Sequence, residues 1–215
     1  MRQRFGHQHW WPADSRFEVC VGAILTQNTN WTNVERAIAR LKTAGVFDPT
    51  KLFMLPEKQL ARLIRPAGYF NVKARRLRSF LRVLVEEFRG DLDRLFASST
   101  TLTRERLLAI HGIGPETADS MLLYAGGHDS FVIDAYTKRV FQRHQWCGTD
   151  ATYDDLKTLC ETALARPPSA ERLDYWQDYH AQLVMVGKHF CRTRNPLCAE
   201  CPLKPLLARA GSKRR

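Results

Sequence analysis

Apolar positions along this chain recur at helical spacing and almost nowhere alternate. Val34, Ala37, Ile38 and Leu41 stand at i, i+3, i+4 and i+7, behind Thr32 or Asn33 as N-cap, and predict an amphipathic helix. Leu77, Phe80, Leu81, Leu84 and Phe88 predict another, with Arg75, Arg76, Arg78 and Arg82 on its opposite side. Ala118, Met121, Leu122 and Ala125 mark a third. Residues Phe17 to Leu25 are apolar nearly all round, the pattern of a central buried helix. Only Phe131 to Ile133 could be extended, and three residues do not found a sheet. The fold class expected is therefore all-α. No solenoid repeat or low-complexity stretch interrupts the pattern, and the small, basic stretch from Ala208 to Arg215 is expected to fray.

The 215 residues suffice for one large domain or two small ones. Thirty-three Lys and Arg against 22 Asp and Glu leave a net charge of +11. Such an excess favours a polyanionic partner, whether DNA, RNA or an acidic membrane surface; a soluble basic protein without one is the plainer alternative. No apolar run approaches the roughly 18 to 20 residues that a membrane span takes. Residues 1–11 are polar and aromatic and lack the apolar core of a secretory signal. A cytoplasmic location with no membrane partner is the expectation. In a reducing compartment the six cysteines are not a disulfide framework. Cys191, Cys198 and Cys201 nevertheless cluster within eleven positions.

Candidate chemistry gathers first around Leu107 to Ala118, where an amphipathic helix runs into Gly112-Ile113-Gly114 and a second helix opens on Pro115. Two glycines allow a tight hairpin with bare amides, suited to a DNA phosphate, while Ile113 plugs between the helices. An ordinary glycine turn between two helices is the alternative. Eighteen positions after Glu116 an apolar stretch ends in Asp134. By itself an Asp after an apolar run is a natural helix N-cap.

Gly112-Ile113-Gly114, Thr117-Ala118 and the stretch ending in Asp134 resemble the helix-hairpin-helix DNA glycosylase superfamily that includes endonuclease III. The resemblance implies that Asp134 is the carboxylate required for cleaving the glycosidic bond. It also implies the fold: two helical lobes flanking a DNA cleft, one of six helices over 17–111, the other from 1–16 and 112–215. The helix-hairpin-helix, about 103–124, would lie at their junction. Members that also cut the strand carry a lysine where this chain has Glu116, and a carboxylate forms no Schiff base.

Trp10-Trp11-Pro12, the run Gly22 to Thr29, Arg65 to Asn71 and Lys73-Ala74 resemble more narrowly the 3-methyladenine DNA glycosylase III branch, which also carries Glu at the position of Glu116. By that resemblance Trp10, Trp11 and Trp31 stack a flipped-out base, Glu116 contacts it or shapes its pocket, and Gln27 and Tyr69 wedge into the duplex. Gly112, Gly114, Lys73, Arg75 and Arg76 are expected at the DNA backbone, although a basic helix face is most often only solvated and tryptophans often plug a core edge.

Cys191-x6-Cys198-x2-Cys201 resembles the loop that holds a [4Fe–4S] cluster in endonuclease III, but Leu207 stands where that loop has its fourth cysteine. A [4Fe–4S] cluster is the expected cofactor, either site-differentiated or with a fourth ligand from elsewhere such as His189; a decayed site is another possibility, and a Cys3His zinc site through His189 is the rival. The function expected is that of a monofunctional glycosylase of base excision repair. It acts as a monomer on double-stranded DNA with a damaged base (on the nucleoid, if bacterial), and removes alkylated purines, 3-methyladenine first. Two alternatives stand beside it: an endonuclease III-like enzyme for oxidised or mismatched pyrimidines, and a non-catalytic DNA-binding or redox-sensing iron–sulfur protein.

Overall fold

The structure, a computed structural model, describes residues 1–207, so the basic stretch from Ala208 onward lies outside the described residues. Among these the chain is all-α, without a strand. Twelve α-helices are described: α1 (Arg2–Phe5), α2 (Arg16–Leu25), α3 (Trp31–Thr43), α4 (Pro49–Met54), α5 (Glu57–Leu63), α6 (Phe70–Glu86), α7 (Leu92–Leu95), α8 (Thr100–Ala109), α9 (Pro115–Met121), α10 (Ala135–Arg143), α11 (Tyr153–Ala163) and α12 (Ser169–His189). None is long and apolar enough to cross a membrane.

Short side-chain acceptors set where several helices start. Ser15 accepts from the amide of Glu18 at α2, and Thr152 and Asp155 form a reciprocal capping box at α11. At α3 the cap is Asn30, which accepts from the amide of Asn33. That helix therefore starts ahead of Thr32 and Asn33, because an amide oxygen at position 30 reaches the orphan donor of the third helical residue. Residues Phe131 to Ile133 are buried but neither helical nor paired as a strand.

The chain divides into two compact units, one of residues 12–130, the other joining 1–11 to the chain from Phe131 onward. The divisions fall at 11/12 and 130/131 rather than the expected 16/17 and 111/112. The reason is packing: α9 and the π-turn Leu122–Gly126 lie against α2, and Ala118, Met121 and Leu122 are fully buried there. Excluding water from each such Leu or Met is worth about 1.5–3 kcal/mol, which keeps the hairpin with α2.

The core of the 12–130 unit is formed by Cys20, Val21, Ile24 and Leu25 of α2 and by Leu77, Phe80, Leu81 and Leu84 of α6, all fully buried. In the other unit Phe131 is the fully buried centre, ringed by Trp176 and His180 edge-on at 5.9 and 6.2 Å and by Tyr179 at 6.2 Å. Helix α10 lies against α12, with Gly187 under Tyr136: a Cβ at Gly187 would run into the tyrosine ring.

Candidate active site

In the 12–130 unit the hairpin turns at Gly112, whose φ of +87° lies in the left-handed region that glycine tolerates best. A Cβ there would also run into the side chain of Arg76, so two requirements meet at one residue. Gly114 differs. It caps α9 with an extended backbone, it has no side chain to offer the first amides of the helix, and a Cβ on it would meet open space. Ile113 is buried as expected, but its amide donates to the carbonyl of Ile110 at 3.0 Å. The turn consumes that donor, so it is not among the bare amides anticipated for the hairpin.

Gln27 reaches this hairpin. Its Nε2 donates to the Gly112 carbonyl at 3.1 Å and to Thr117 Oγ1 at 3.0 Å, while its Oε1 accepts from Arg76. Two residues expected to touch DNA, Gln27 and Arg76, are thus tied to one another and to the hairpin. Lys73 requires a correction. It is 1% exposed, and its Nζ donates to the carbonyls of Leu25 at 2.8 Å and Ala67 at 2.7 Å. An ammonium so placed clamps the end of α2 to the turn before α6 and offers nothing to a phosphate. Burial, with a smaller push from Arg76, brings its pKa down to about 8. Tyr69 and Arg75, by contrast, stand in solvent. Tyr69 is 71% exposed on a left-handed backbone at φ 44°, directly ahead of α6. Trp31 opens α3 and is half-buried, and Glu116 lies in the first turn of α9.

In the other unit, Asp134 caps α10, its Oδ1 accepting from the amide of Thr137 at 2.7 Å. The cap reading of this residue is therefore correct as geometry, and it leaves the second oxygen for other work. Oδ2 lies 3.8 Å from Nε2 of His180, a buried imidazole on α12. Burial lowers the pKa of His180, with the Asp134 carboxylate acting in the opposite sense. Nothing in the sequence pointed to His180. A histidine within a long helix reads as a core or surface residue until α10 is folded onto it. Trp10 and Trp11 belong to this unit too, half-buried, with ring centroids 6.0 Å apart at 60°. The Lys188 ammonium lies 5.5 Å from the Trp10 ring centroid.

The cysteine loop follows α12. Cys191 is buried, Cys201 half-buried and Cys198 exposed. Burial pushes the Cys201 thiol up, and the other two thiols add to the effect. Two guanidinium groups of α10 hold the start of this loop. Arg139 donates to the carbonyls of Cys191 at 2.6 Å and Gly187 at 3.2 Å; Arg143 donates to Cys191 Sγ at 3.4 Å and to the carbonyls of Arg192 and Thr193. A [4Fe–4S] cluster takes four ligands, and the fourth place is filled by the apolar Leu207. His189, the rival fourth ligand, has its ring against Phe5, with centroids 6.4 Å apart. Among the described residues no three His, Cys, Asp or Glu side chains converge as a metal-binding group. The residues present fit neither the four-ligand cluster nor the Cys3His zinc site.

Comparison with known proteins places this geometry. A family model described as HhH-GPD superfamily base excision DNA repair protein matches residues 21–166. A Methanocaldococcus jannaschii protein, named provisionally as a DNA repair glycosylase, is 46% identical over 202 residues, 93% of this chain and 89% of its own. Endonuclease III of Thermotoga maritima is 29% identical over 87% of this chain and 80% of its own. Among solved structures, the H. pylori 3-methyladenine DNA glycosylase bound to 1,N6-ethenoadenine is similar with a TM-score of 0.67 and 27% identity, over 82% of this chain and 87% of that one. An endonuclease III–DNA complex shares the fold at a TM-score of 0.78, with 22% identity over 96% and 89% of the two chains. With the family model spanning most of the chain and a relative this similar over nearly all of it, the protein belongs to the HhH-GPD superfamily and is a DNA glycosylase of base excision repair.

Proposed function

We propose that this glycosylase is monofunctional and removes alkylated purines from double-stranded DNA, 3-methyladenine first. The observation that carries the proposal is Glu116, a carboxylate in the first turn of α9, at the position where the family resemblance implies a lysine in members that cut the strand. The likeness to the H. pylori 3-methyladenine glycosylase supports the same substrate class.

The reaction asks little acid catalysis of the protein. An N3-alkylated purine is cationic, so the base departs neutral as its N-glycosidic bond breaks, and positive charge grows on the sugar. Asp134 supplies the opposing charge, with Oδ1 fixed by the Thr137 amide, so that the carboxylate needs little reorganisation as the transition state forms. Water then completes the hydrolysis at the sugar carbon, leaving a free base and an intact abasic strand. Trp10, Trp11 and Trp31 offer flat, electron-rich faces to an electron-poor base. Tyr69, exposed ahead of α6, is the wedge the proposal assigns to the gap in the duplex. No step uses the cysteine loop.

A panel of duplexes carrying 3-methyladenine, 1,N6-ethenoadenine, thymine glycol or a G·T mismatch tests the reading by base release. Release of the alkylated purines ahead of the pyrimidines is the expected result. Preference for oxidised or mismatched pyrimidines would replace it with the endonuclease III-like reading, to which the Thermotoga relative points.

A further inference from the structure

We infer that His180 is a positioning residue for the reaction, a buried imidazole whose Nε2–H faces Oδ2 of Asp134 and holds the carboxylate in its reacting orientation. The inference rests on the reading of Asp134 as the reacting carboxylate and names the group that supports it.

Three observations converge. The cap holds Asp134 by one oxygen only: the Thr137 amide takes Oδ1, and a second contact at Oδ2 would strengthen the restraint on rotation about the last side-chain bond, which carries both oxygens together. His180 stands on the side to which Oδ2 turns, at 3.8 Å, near enough to tighten into a hydrogen bond once charge develops at the sugar. The imidazole itself is immobilised, its ring edge-on to the fully buried Phe131 with centroids 6.2 Å apart and an interplanar angle of 89°.

The helix pairing that creates this juxtaposition is also specific. His180 and Gly187 lie seven residues apart, two turns of α12, and so share a face. Gly187 lets Tyr136, two residues beyond Asp134, come close against α12. Any larger residue at 187 would push the start of α10, and Asp134 with it, away from His180. Burial favours the neutral imidazole, which donates from only one nitrogen, so the tautomer decides whether the contact attracts or repels. With the proton on Nε2 the ring offers the carboxylate a donor; with it on Nδ1 the ring presents a lone pair.

The test uses the full chain in four forms, wild type, His180→Gln, His180→Leu and Asp134→Asn. The probe is a duplex methylated with dimethyl sulfate, and the readouts are single-turnover release of 3-methyladenine and affinity for a duplex with an uncleavable abasic analogue. His180→Leu should slow release about 10- to 100-fold, the range expected for losing one hydrogen bond to a charged group, with affinity for the analogue unchanged. His180→Gln, which keeps an N–H donor at the same reach, should stay within a few-fold of wild type. Should His180→Leu fail to fold, His180→Asn takes its place: it keeps the polarity but falls short of the carboxylate, and should be as slow. Wild-type release by His180→Leu, or an equal loss in the Gln and Leu variants, beside an inactive Asp134→Asn overturns the inference alone. Activity surviving in Asp134→Asn overturns instead the reading beneath it. A nitrogen-15 spectrum of the imidazoles in the DNA-free protein gives an answer that needs no substrate. A proton on His180 Nε2 is the expected result, and the Nδ1–H tautomer overturns the inference.

Discussion

Helices α9 and α10 each begin after a loop with unmet amide donors and a carboxylate close by, yet they meet the need in opposite ways. At α9 the cap is Gly114, which has no side chain to offer the amides, and Glu116 lies inside the first turn. At α10 the carboxylate itself is the cap, Asp134 accepting from the Thr137 amide. The first arrangement leaves open space beside Gly114, the position at which the DNA backbone is expected. The second aims a charge: helix geometry fixes one oxygen of Asp134 and leaves the other facing His180. A carboxylate just outside a helix is oriented by it, whereas a carboxylate inside the first turn mainly balances the helix dipole. Position, more than residue type, separates Asp134 from Glu116.

The largest effect should come from removing charge at α10 while keeping the cap. Asn caps a helix about as well as Asp, so Asp134→Asn should leave the thermal midpoint nearly unchanged. Base release should nevertheless fall at least ~100-fold, as when one electrostatic stabiliser of a transition state is lost. Circular dichroism melts beside single-turnover release separate the two roles.

A smaller effect is expected at the hairpin, where the two glycines should behave differently. Gly112→Ala must place a Cβ at φ +87° and against Arg76, and should cost about 1–3 kcal/mol of stability. Gly114→Ala meets open space at an extended backbone, so its cost should be confined to the weaker cap, about 1 kcal/mol or less. Urea unfolding of the two variants measures the difference, and equal losses would mean that the turn is not held as described.

Much of the fold was legible because helical periodicity is a local signal. The apolar rows of α3, α6 and α9 and the all-round apolar α2 each report a buried face without knowledge of the partner. Asp134 was legible as a helix cap, through its place after an apolar run. What escaped depends on contacts between residues far apart in the chain. Lys73 stands in a basic run and reads as solvated; only the meeting of α6 with the end of α2 and with Ala67 shows it buried on two carbonyls. Gln27 read as a wedge into DNA, but 85 residues later the Gly112 carbonyl comes within its reach. His180 carried no signal until α10 lay against α12. The division of the chain near 130 rather than 111 likewise follows from α9 packing on α2, a choice no local pattern encodes.

The smallest effect sharpens the same lesson on α6. Arg75→Ala should weaken binding to any duplex only a few-fold and lower the salt dependence by about one phosphate contact. Lys73→Met should leave that dependence unchanged and lower stability instead, because it orphans two buried carbonyls. Fluorescence titrations at several salt concentrations distinguish the two, and a change of salt slope in Lys73→Met would contradict its buried placement.

The central claim, that the base leaves by hydrolysis around Asp134 without an attacking amine, is tested most directly on one end-labelled duplex carrying a single 3-methyladenine. After a single turnover the reaction is divided in three: one portion is resolved at neutral pH, one after hot alkali, and one is run with borohydride present throughout. The account predicts free 3-methyladenine in all three portions, strand scission only after alkali, and no protein–DNA adduct in the borohydride portion, because Glu116 cannot form an imine. Scission at neutral pH together with a trapped adduct would contradict it and assign the chemistry to a lysine instead.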